Sequence, residues 1–421
     1  MKQELPEKQT AHSRVEGDDM QKTLQGVKVL DMTMAISGPI ATRILSDFGA
    51  DVVLVEPTGG SSIRTFGPHY MGLKCFGKKS VGCDLKTPEG KEIIKKLVEW
   101  ADVFVSNYRA AGLERLGMSY EDLKAINPKL VYATITGFGN EGPNAGDMGF
   151  DVVCYYGRSG MLTDSVPKGN VLHAPYGGGD VNSGEVLALG VCAALYKRAM
   201  TGEGSKISTS LMENGIFVNF NNIVEAQYGE TYPREKYGVA RPLLNSYECS
   251  DGRYITINAQ HHWETSWPCI CNLIGRPDLI DKVRNKDEAM GEMAGEINVA
   301  IAEGFKKHTS EEVYNTLFAC GTISVSKAQH SAEVASDQQA IINEMVFPYK
   351  DAEGREVMMP ATPLRFGDNK AAHYEEPEKF GTSTKAVLRE LGYSEEKIRE
   401  LVEKKVVYAD GEGPKPSAVI I

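Results

Sequence analysis

Apolar runs of strand length alternate with segments of helical spacing from residue 25 onward. The runs rich in Val, Ile and Leu, which predict buried strands, cover residues 27–32, 51–56, 102–107 and 130–136. Helices are predicted at 40–48, from Thr87-Pro88-Glu89 onward, after the capping box at Ser119, and over 186–196. Strands and helices in this alternation predict an α/β fold with a mostly parallel, Rossmann-like sheet covered on both faces.

The pattern changes near residue 230. A strand–turn–strand unit is predicted at 243–258, and mixed helical segments continue to about residue 345. Strand signals return at 361–366, followed by two short helices, 384–391 and 394–404.

The length of 421 residues exceeds one typical core. We therefore predict a large Rossmann-like domain, residues 23–230 and 346–421, with a smaller α+β domain, residues 231–345, inserted in it. Residues 1–22 are polar, carry both charge signs and are predicted to form an N-terminal extension.

Composition narrows the possible partners. The chain has 46 basic and 57 acidic residues, a net charge of −11, which argues against nucleic acid or an anionic membrane as a partner. No apolar stretch is long enough for a bilayer, and residues 1–22 lack the apolar region of a signal peptide. The eight cysteines show no framework spacing, so we expect reduced thiols in a cytoplasmic protein. Cys269 and Cys271 match no common zinc spacing, and no metal site is predicted.

The segment after the first strand does not fit a dinucleotide site. Residues 33–39 (TMAISGP) contain no G-x-G-x-x-G, and the chain has no P-loop motif. NAD is therefore not expected as a cofactor.

Asp180 is the main candidate for chemistry. It follows three glycines, Gly177, Gly178 and Gly179, in the run APYGGGD (174–180), directly ahead of an apolar helical segment. Glycines permit close backbone approach to a ligand, and a helix N-terminus stabilises negative charge, an arrangement that suits a carboxylate nucleophile. The alternative interpretation is that Asp180 simply caps the helix.

Eight short stretches in order resemble the class III CoA-transferases, over residues 25 to about 407. They are GVKVLD (26–31), SDFGADVV (46–53), DLKTPEG (84–90), ADVFVSNYR (101–109), LERLG (113–117), NPKLVY (127–132), ITGFG (135–139) and VLRELGYS (387–394). The resemblance implies that Asp180 is the catalytic nucleophile, forming an aspartyl anhydride and then an aspartyl-CoA thioester. Coenzyme A thioester is then a substrate, no cofactor is needed, and an interlocked homodimer is implied.

The resemblance also implies binding residues. Gly137 and Phe138 would lie near the reacting end, and the glycines 177–179 would supply oxyanion donors. The positions implied for CoA binding are Ala35, Ile36, Lys78, Lys79, Asn107 and Arg115. Formyl-CoA transferases carry Gln where this chain has Ile36 and Arg where it has Pro57, which argues against formyl or oxalate specificity; Arg64 is a candidate substitute.

Two other functions are compatible with the same fold. The 2-methylacyl-CoA racemases need two acid/base groups, one of them a His in a Gly-His-Asp segment, and this chain has Gly149-Phe150-Asp151 there. Phe cannot move a proton, and His173 is the remaining candidate base. A non-catalytic CoA-binding subunit is the second alternative, against which the intact run 177–180 argues.

Within the transferases, residues 135–143 and 149–151 are most similar to the branch that acts on 2-hydroxy acids in amino-acid-fermenting anaerobes. That resemblance implies an acyl-CoA and a small carboxylic acid as substrates, and a separate 2-hydroxyacyl-CoA dehydratase as a pathway partner. Phenyllactate, 2-hydroxyisocaproate, lactate and 2-hydroxyglutarate all remain open as acceptors.

Overall fold

The computed structural model describes residues 22–65, 68–235, 241–351, 353–366 and 376–413. Its strands are β1 (Lys28–Met32), β2 (Asp51–Glu56), β3 (Lys78–Cys83), β4 (Val103–Ser106), β5 (Val131–Thr136), β6 (Ser205–Ser210), β7 (Leu244–Glu248), β8 (Tyr254–Asn258), β9 (Ser324–Lys327), β10 (Val346–Lys350), β11 (Glu356–Pro360) and β12 (Val407–Tyr408). Its helices are α1 (Ser37–Asp47), α2 (Pro68–Cys75), α3 (Pro88–Trp100), α4 (Ala110–Leu116), α5 (Tyr120–Ile126), α6 (Met161–Asp164), α7 (Gly178–Thr201), α8 (Leu211–Val218), α9 (Phe220–Gln227), α10 (Trp263–Leu273), α11 (Asp278–Lys282), α12 (Lys286–Met290), α13 (Ala294–Phe305), α14 (Ser310–Ala319), α15 (Ser331–Val334), α16 (Gln338–Ile342), α17 (Thr384–Glu390) and α18 (Glu395–Glu403).

The main sheet has seven strands in the order β12-β3-β2-β1-β4-β5-β6. All neighbours are parallel except β12, which runs antiparallel to β3. The predicted α/β fold with a mostly parallel sheet is therefore confirmed. The strand order reverses between β1 and β4, and in open α/β sheets ligands bind at such a switch point, outside the carboxyl ends of the strands.

Helices cover both faces of this sheet, as its doubly buried strands require. On one face, α3, α17 and α18 pack with side chains such as Leu97, Phe104 and Leu388. On the other face, α1 and α7 pack with side chains such as Leu45 and Val191. The C-terminal segment thus returns to the main sheet, with β12 on its edge.

A second sheet, antiparallel in the order β7-β8-β9, follows the main one along the chain. The predicted strand–turn–strand unit corresponds to β7 and β8. Together with α10, α13 and α14, this sheet encloses a core of its own that includes Trp267 and Phe305. The division into two domains at the stated boundaries stays a prediction, and of the predicted extension residues 1–21 lie outside the described residues.

One predicted strand was wrong, and several strands were not predicted. Residues 361–366 form no strand; the strands of that region are β10 and β11, which pair as a hairpin. Strands β3 and β6 were not predicted, because KKSVGC and SKISTS carry too many polar residues for an apolar run. Both gain their strand geometry from pairing with β2 and β5 in the sheet.

Candidate active site

Asp180 lies in the first turn of α7, not ahead of the helix as the sequence suggested. Gly177 is the N-terminal cap residue and has a φ of 73°, a left-handed conformation that favours glycine. The carboxylate therefore lies at the positive end of a 24-residue helix.

Helix α1 brings a second group to this carboxylate. A Cβ atom on Gly184 would lie only 2.6 Å from the Ser37 carbonyl oxygen, so glycine at this position lets α1 and α7 pack closely. Ser37, the first residue of α1, hydrogen-bonds to Asp180 through its side chain. The contact joins the loop after β1, at the switch point, to the nucleophile candidate.

Asp151 is an acidic residue whose negative charge acts on Asp180. Its Oδ1 accepts a hydrogen bond from the Val152 N–H at 2.7 Å, and its Oδ2 accepts one from the Gly179 N–H at 3.3 Å. Burial and, after it, the negative charge of Asp151 raise the pKa of Asp180 to about 7, although the Ser37 hydrogen bond and the charge of Lys74 oppose the shift. The arrangement holds the carboxyl group close to half-ionised at neutral pH.

The three glycines before Asp180 are tightly enclosed. A Cβ on Gly178 would lie 2.7 Å from the Tyr156 hydroxyl, and one on Gly179 would lie 2.5 Å from the Tyr155 ring. The Gly178 N–H donates to the Pro175 carbonyl at 3.0 Å, and the Gly179 N–H donates to Asp151. These two amides already have acceptors within the chain, so the oxyanion role expected of 177–179 stays a prediction.

The loops after β1 and β4 meet above the switch point. Asn107 holds Met34 by two hydrogen bonds, accepting from its N–H at 2.9 Å and donating to its carbonyl at 2.6 Å. Ala35 has a φ of 63°. The Ile36 side chain packs against Gly177, where an added Cβ atom would lie 3.1 Å from it. Ala35, Ile36 and Asn107, all expected to bind CoA, are thus brought together beside the nucleophile loop.

Gly137 and Phe138 follow β5. A Cβ on Gly137 would lie 2.6 Å from Gly149 Cα and 3.1 Å from the Cys154 sulfur. Asp180 contributes to raising the pKa of that same Cys154 thiol, after the larger effect of burial. Gly137 therefore lies beside Cys154, and the Arg158 guanidinium lies 5.6 Å from the ring centre of Phe138. The expected place of both residues near the reacting end stays a prediction.

The basic residues expected to bind CoA are placed differently. The Lys78 ammonium is buried and bound to Asp31 at 3.0 Å, to Thr42 and to the Pro39 carbonyl. Lys79 pairs with Asp51 at 2.8 Å at the surface, and Arg115 is exposed on α4. CoA binding by these three residues stays a prediction that their contacts do not support.

The other two residues considered from the sequence, Arg64 and His173, make no hydrogen bond or ion pair with Asp180 among the described residues. Arg64 forms a two-pronged pair with Glu56, with nitrogen–oxygen distances of 2.6 and 2.5 Å. The side chain of His173 is exposed. Phe150 is 48% exposed and precedes Asp151, so the position that would need an acid/base group for racemisation carries an apolar ring.

Sequence reasoning missed Ser37 and Lys74, and it treated Asp151 only as part of a three-residue motif. Lys74, on α2, is 1% exposed and is among the largest fully buried side chains of the described chain. No local pattern marked it, because burial of a lysine depends on distant segments that cover it.

The described residues contain neither a cluster suited to a metal ion nor a helix suited to a membrane. No group of three or more His, Cys, Asp or Glu side chains there is arranged to hold a metal ion. Within the same residues, no helix has the length and apolar character needed to cross a bilayer.

The fold and this cluster define an α/β protein with a half-buried carboxylate at the switch point of its sheet. Residues 24–384 match the family model described as CoA-transferase family III. Because the match spans most of the chain, the chain belongs to CoA-transferase family III.

Similar proteins extend the comparison. The chain is 31% identical to (R)-2-hydroxy-4-methylpentanoate CoA-transferase of Clostridioides difficile, over 91% of this chain and 99% of that protein. It is 30% identical to cinnamoyl-CoA:phenyllactate CoA-transferase of Clostridium sporogenes, over 90% and 96%. A crystal structure of a CAIB/BAIF family protein from Brucella suis superposes with a TM-score of 0.75 at 28% identity, covering 88% of this chain and all of that one.

The raised pKa of Asp180 predicts a specific pH dependence. Only the ionised carboxylate is a nucleophile, so kcat/KM for the acyl-CoA should fall about tenfold per pH unit below about pH 7. In Asp151→Asn this limb should move to lower pH, because the negative charge of Asp151 raises the pKa. Initial rates across the pH range measure both; a wild-type limb near the ordinary aspartate value of 3.8 would contradict the prediction.

Proposed function

We propose that this protein transfers CoA from an acyl-CoA to a 2-hydroxy acid, with Asp180 as the covalent nucleophile. The observation that carries the proposal is the Asp180 carboxylate itself, which is half-buried, contacted by Ser37 and lies where the loops after β1 and β4 meet. Membership of CoA-transferase family III supplies the reaction class.

The proposed sequence of steps conserves atoms and charge. An Asp180 oxygen attacks the thioester carbonyl, the carbon–sulfur bond breaks, and CoA thiolate leaves a mixed anhydride behind. The thiolate attacks the Asp180 carbonyl carbon and releases the first acid as its carboxylate. The acceptor carboxylate then displaces CoA from the aspartyl thioester, and the thiolate attacks the acceptor's carbonyl, which regenerates the Asp180 carboxylate. Each step converts a thioester into an anhydride or an anhydride into a thioester. The site must exclude water, because water would hydrolyse the anhydride.

The acceptor class rests on two kinds of support. Both named relatives act on acids that carry a 2-hydroxyl group next to an apolar side chain, 2-hydroxy-4-methylpentanoate and phenyllactate. Apolar side chains also stand close to the nucleophile here: Ile36 beside Gly177, and Phe150 next to Asp151. We propose an acceptor of that kind, whose CoA thioester a separate dehydratase would consume.

A panel of acceptors tests this proposal. Purified protein is incubated with one acyl-CoA donor and, separately, 2-hydroxy-4-methylpentanoate, phenyllactate, lactate, 2-hydroxyglutarate, oxalate and carnitine, with new CoA thioesters read by mass spectrometry. We expect the apolar 2-hydroxy acids to give the highest kcat/KM. Transfer only to oxalate or carnitine would overturn the acceptor class. Rapid α-proton exchange of a 2-methylacyl-CoA in deuterated water, without transfer to any acid, would favour the racemase instead.

We also propose that the protein is a homodimer. The outer face of α7 carries Leu189, Tyr196 and Met200, each at least 69% exposed in the single chain, and the neighbouring α8 and α9 add Phe217 and Phe220. A contiguous apolar surface of this kind usually marks a protein–protein interface.

Native mass spectrometry and light scattering measure the assembly. We expect a dimer that persists on dilution, because an interlocked interface would bury far more than a standard one. Leu189→Glu, which places a charge among these exposed apolar side chains, should weaken the dimer, whereas Lys95→Glu on α3 should not. A monodisperse monomer of the wild-type protein would contradict the proposal.

A further inference from the structure

The loop between β1 and α1 contains a strained residue. Ala35 has a φ of 63°, a left-handed conformation that residues other than glycine rarely adopt. The loop turns tightly here, since a Cβ atom on Gly38 would lie 2.6 Å from the Thr33 side chain. Strained residues of this kind persist where the surrounding structure fixes them, and they cluster at functional sites. The contacts around Ala35 therefore identify what holds this loop.

Asn107 fixes the residue that precedes Ala35. Its amide oxygen accepts a hydrogen bond from the Met34 N–H at 2.9 Å, and its amide nitrogen donates to the Met34 carbonyl at 2.6 Å. A primary amide can pair with both backbone groups of one residue, because it carries an acceptor and a donor side by side. The two bonds therefore hold both peptide planes that flank Met34, and the second of these planes leads into Ala35.

Asn107 is itself held at the end of the neighbouring strand. The preceding residue, Ser106, is fully buried and donates from its hydroxyl to the Met32 carbonyl at 3.2 Å. The Tyr108 N–H donates to the same hydroxyl oxygen at 3.1 Å. Strands β1 and β4 are also paired in parallel register, with Met32 opposite Ser106. The loop after β4 is thus a fixed support for the loop after β1.

The residues that follow Ala35 reach the start of α7. The Ile36 side chain packs against Gly177, where an added Cβ atom would lie 3.1 Å from it. Ser37 begins α1, and a Cβ atom on Gly184 of α7 would lie 2.6 Å from the Ser37 carbonyl oxygen. A change of the backbone at Ala35 would therefore disturb both contacts with the first turns of α7.

We propose that Asn107 is a positioning residue of the transfer reaction, acting through the backbone of Met34 and Ala35. It holds Ala35 in the left-handed conformation, and the loop in turn sets where Ile36 and Ser37 meet the start of α7. The inference rests on the proposed function, because the position of this loop matters for transfer only if the reaction takes place beside it. This role differs from the direct CoA contact that the sequence suggested for Asn107.

Asn107→Ala tests this role, and Asn127→Ala is the matched control at the opposite end of the sheet. Asn127 is half-buried like Asn107, and its amide also bonds to backbone groups. It donates to the Val98 and Ala101 carbonyls at 3.0 and 2.8 Å and accepts from the Lys129 N–H at 3.1 Å. Both variants should lower the thermal midpoint. Only Asn107→Ala should lower kcat/KM for the acyl-CoA, by about 30- to 100-fold, because small displacements near a reacting centre have effects of up to about 10²-fold.

Ala35→Gly separates positioning from direct binding of CoA by Asn107. Glycine adopts a positive φ without the cost that alanine carries, a difference on the order of tenfold in population. In the Asn107→Ala background, Ala35→Gly should therefore raise kcat/KM roughly tenfold. The gain should be much smaller in the wild-type background, where Asn107 already fixes the loop. If Asn107 bound CoA directly, the two substitutions would act independently and Ala35→Gly would have the same effect in both backgrounds.

Hydrogen exchange gives a readout that needs no turnover. Without the Asn107 side chain, the Met34 N–H loses its acceptor, so peptides that cover residues 33–38 should exchange faster in Asn107→Ala than in the wild type. Asn127→Ala should leave the exchange of these peptides unchanged. If Asn107→Ala does not fold, Asn107→Asp carries the kinetic comparison, because it keeps an acceptor for the Met34 N–H and loses the donor to the Met34 carbonyl.

Each outcome has a defined consequence. The positioning role would be overturned by equal kcat/KM values in Asn107→Ala and Asn127→Ala, by an equal effect of Ala35→Gly in both backgrounds, or by unchanged exchange of residues 33–38. Any of these results could occur while the wild-type protein still transfers CoA. Absence of both CoA transfer and Asp180 hydroxamate in the wild type would instead refute the proposed function, and the positioning role would fall with it.

Discussion

Replacing Asp180 with Asn is expected to lower CoA transfer by a factor on the order of 10⁴ or more. The amide has nearly the same volume and can keep the Ser37 contact, but it cannot form an anhydride. The helix begins at Gly178 and is held by its packing on α1, so the fold should be retained. The loss should appear in kcat, since nothing that binds the adenine end of CoA has changed.

Transfer kinetics and peptide mass spectrometry measure this effect. In the wild type, incubation with acyl-CoA and hydroxylamine should place the modification on the peptide that contains Asp180. Glu185→Gln is the matched control: Glu185 lies five residues further along α7, and burial raises its pKa as well. It should keep transfer within a few-fold of wild type. Near wild-type turnover in Asp180→Asn would contradict the proposed covalent mechanism.

The sequence predicted the central sheet well where burial alone sets the pattern. Strands β2 and β5 are apolar runs buried on both faces, and their ends were predicted to within one residue. Strand β3 was missed because its first two residues are lysines; sheet pairing and the Asp31 partner, which lies 47 residues away, make that strand possible.

The candidate site was predictable only in part. Asp180 and Gly177 could be found because a local glycine run and a family resemblance coincide there. Lys74 could not, since no local pattern of the sequence shows that the fold will bury this lysine to 1% exposure. The same reason applies to Lys78: the sequence shows a basic residue, and only the fold shows that its charge is bound by Asp31 inside the protein.

Asp31 is the residue whose loss should most destabilise the fold. It is fully buried at the end of β1 and accepts four hydrogen bonds, from the Thr33 N–H and hydroxyl, the Thr42 hydroxyl and the Lys78 ammonium. Asp31→Asn keeps the shape but leaves the Lys78 charge buried without an anion. Removing one partner of a buried pair costs about 3–5 kcal/mol, so the free energy of unfolding should fall by about that amount. The loop that carries Ala35 and Ile36 should lose its anchor at the same time.

Equilibrium urea unfolding at fixed protein concentration, followed by circular dichroism, measures this loss, because subunit association would otherwise shift the midpoint. Asp51→Asn is the control that isolates burial. Asp51 on β2 pairs with Lys79 on the neighbouring strand β3 at 2.8 Å, but both side chains are at least 33% exposed. An exposed pair contributes less than about 1 kcal/mol, because water replaces the lost partner. Equal losses in the two variants would contradict the prediction, because they would show that burial of the Asp31–Lys78 pair does not set its contribution to the free energy of unfolding.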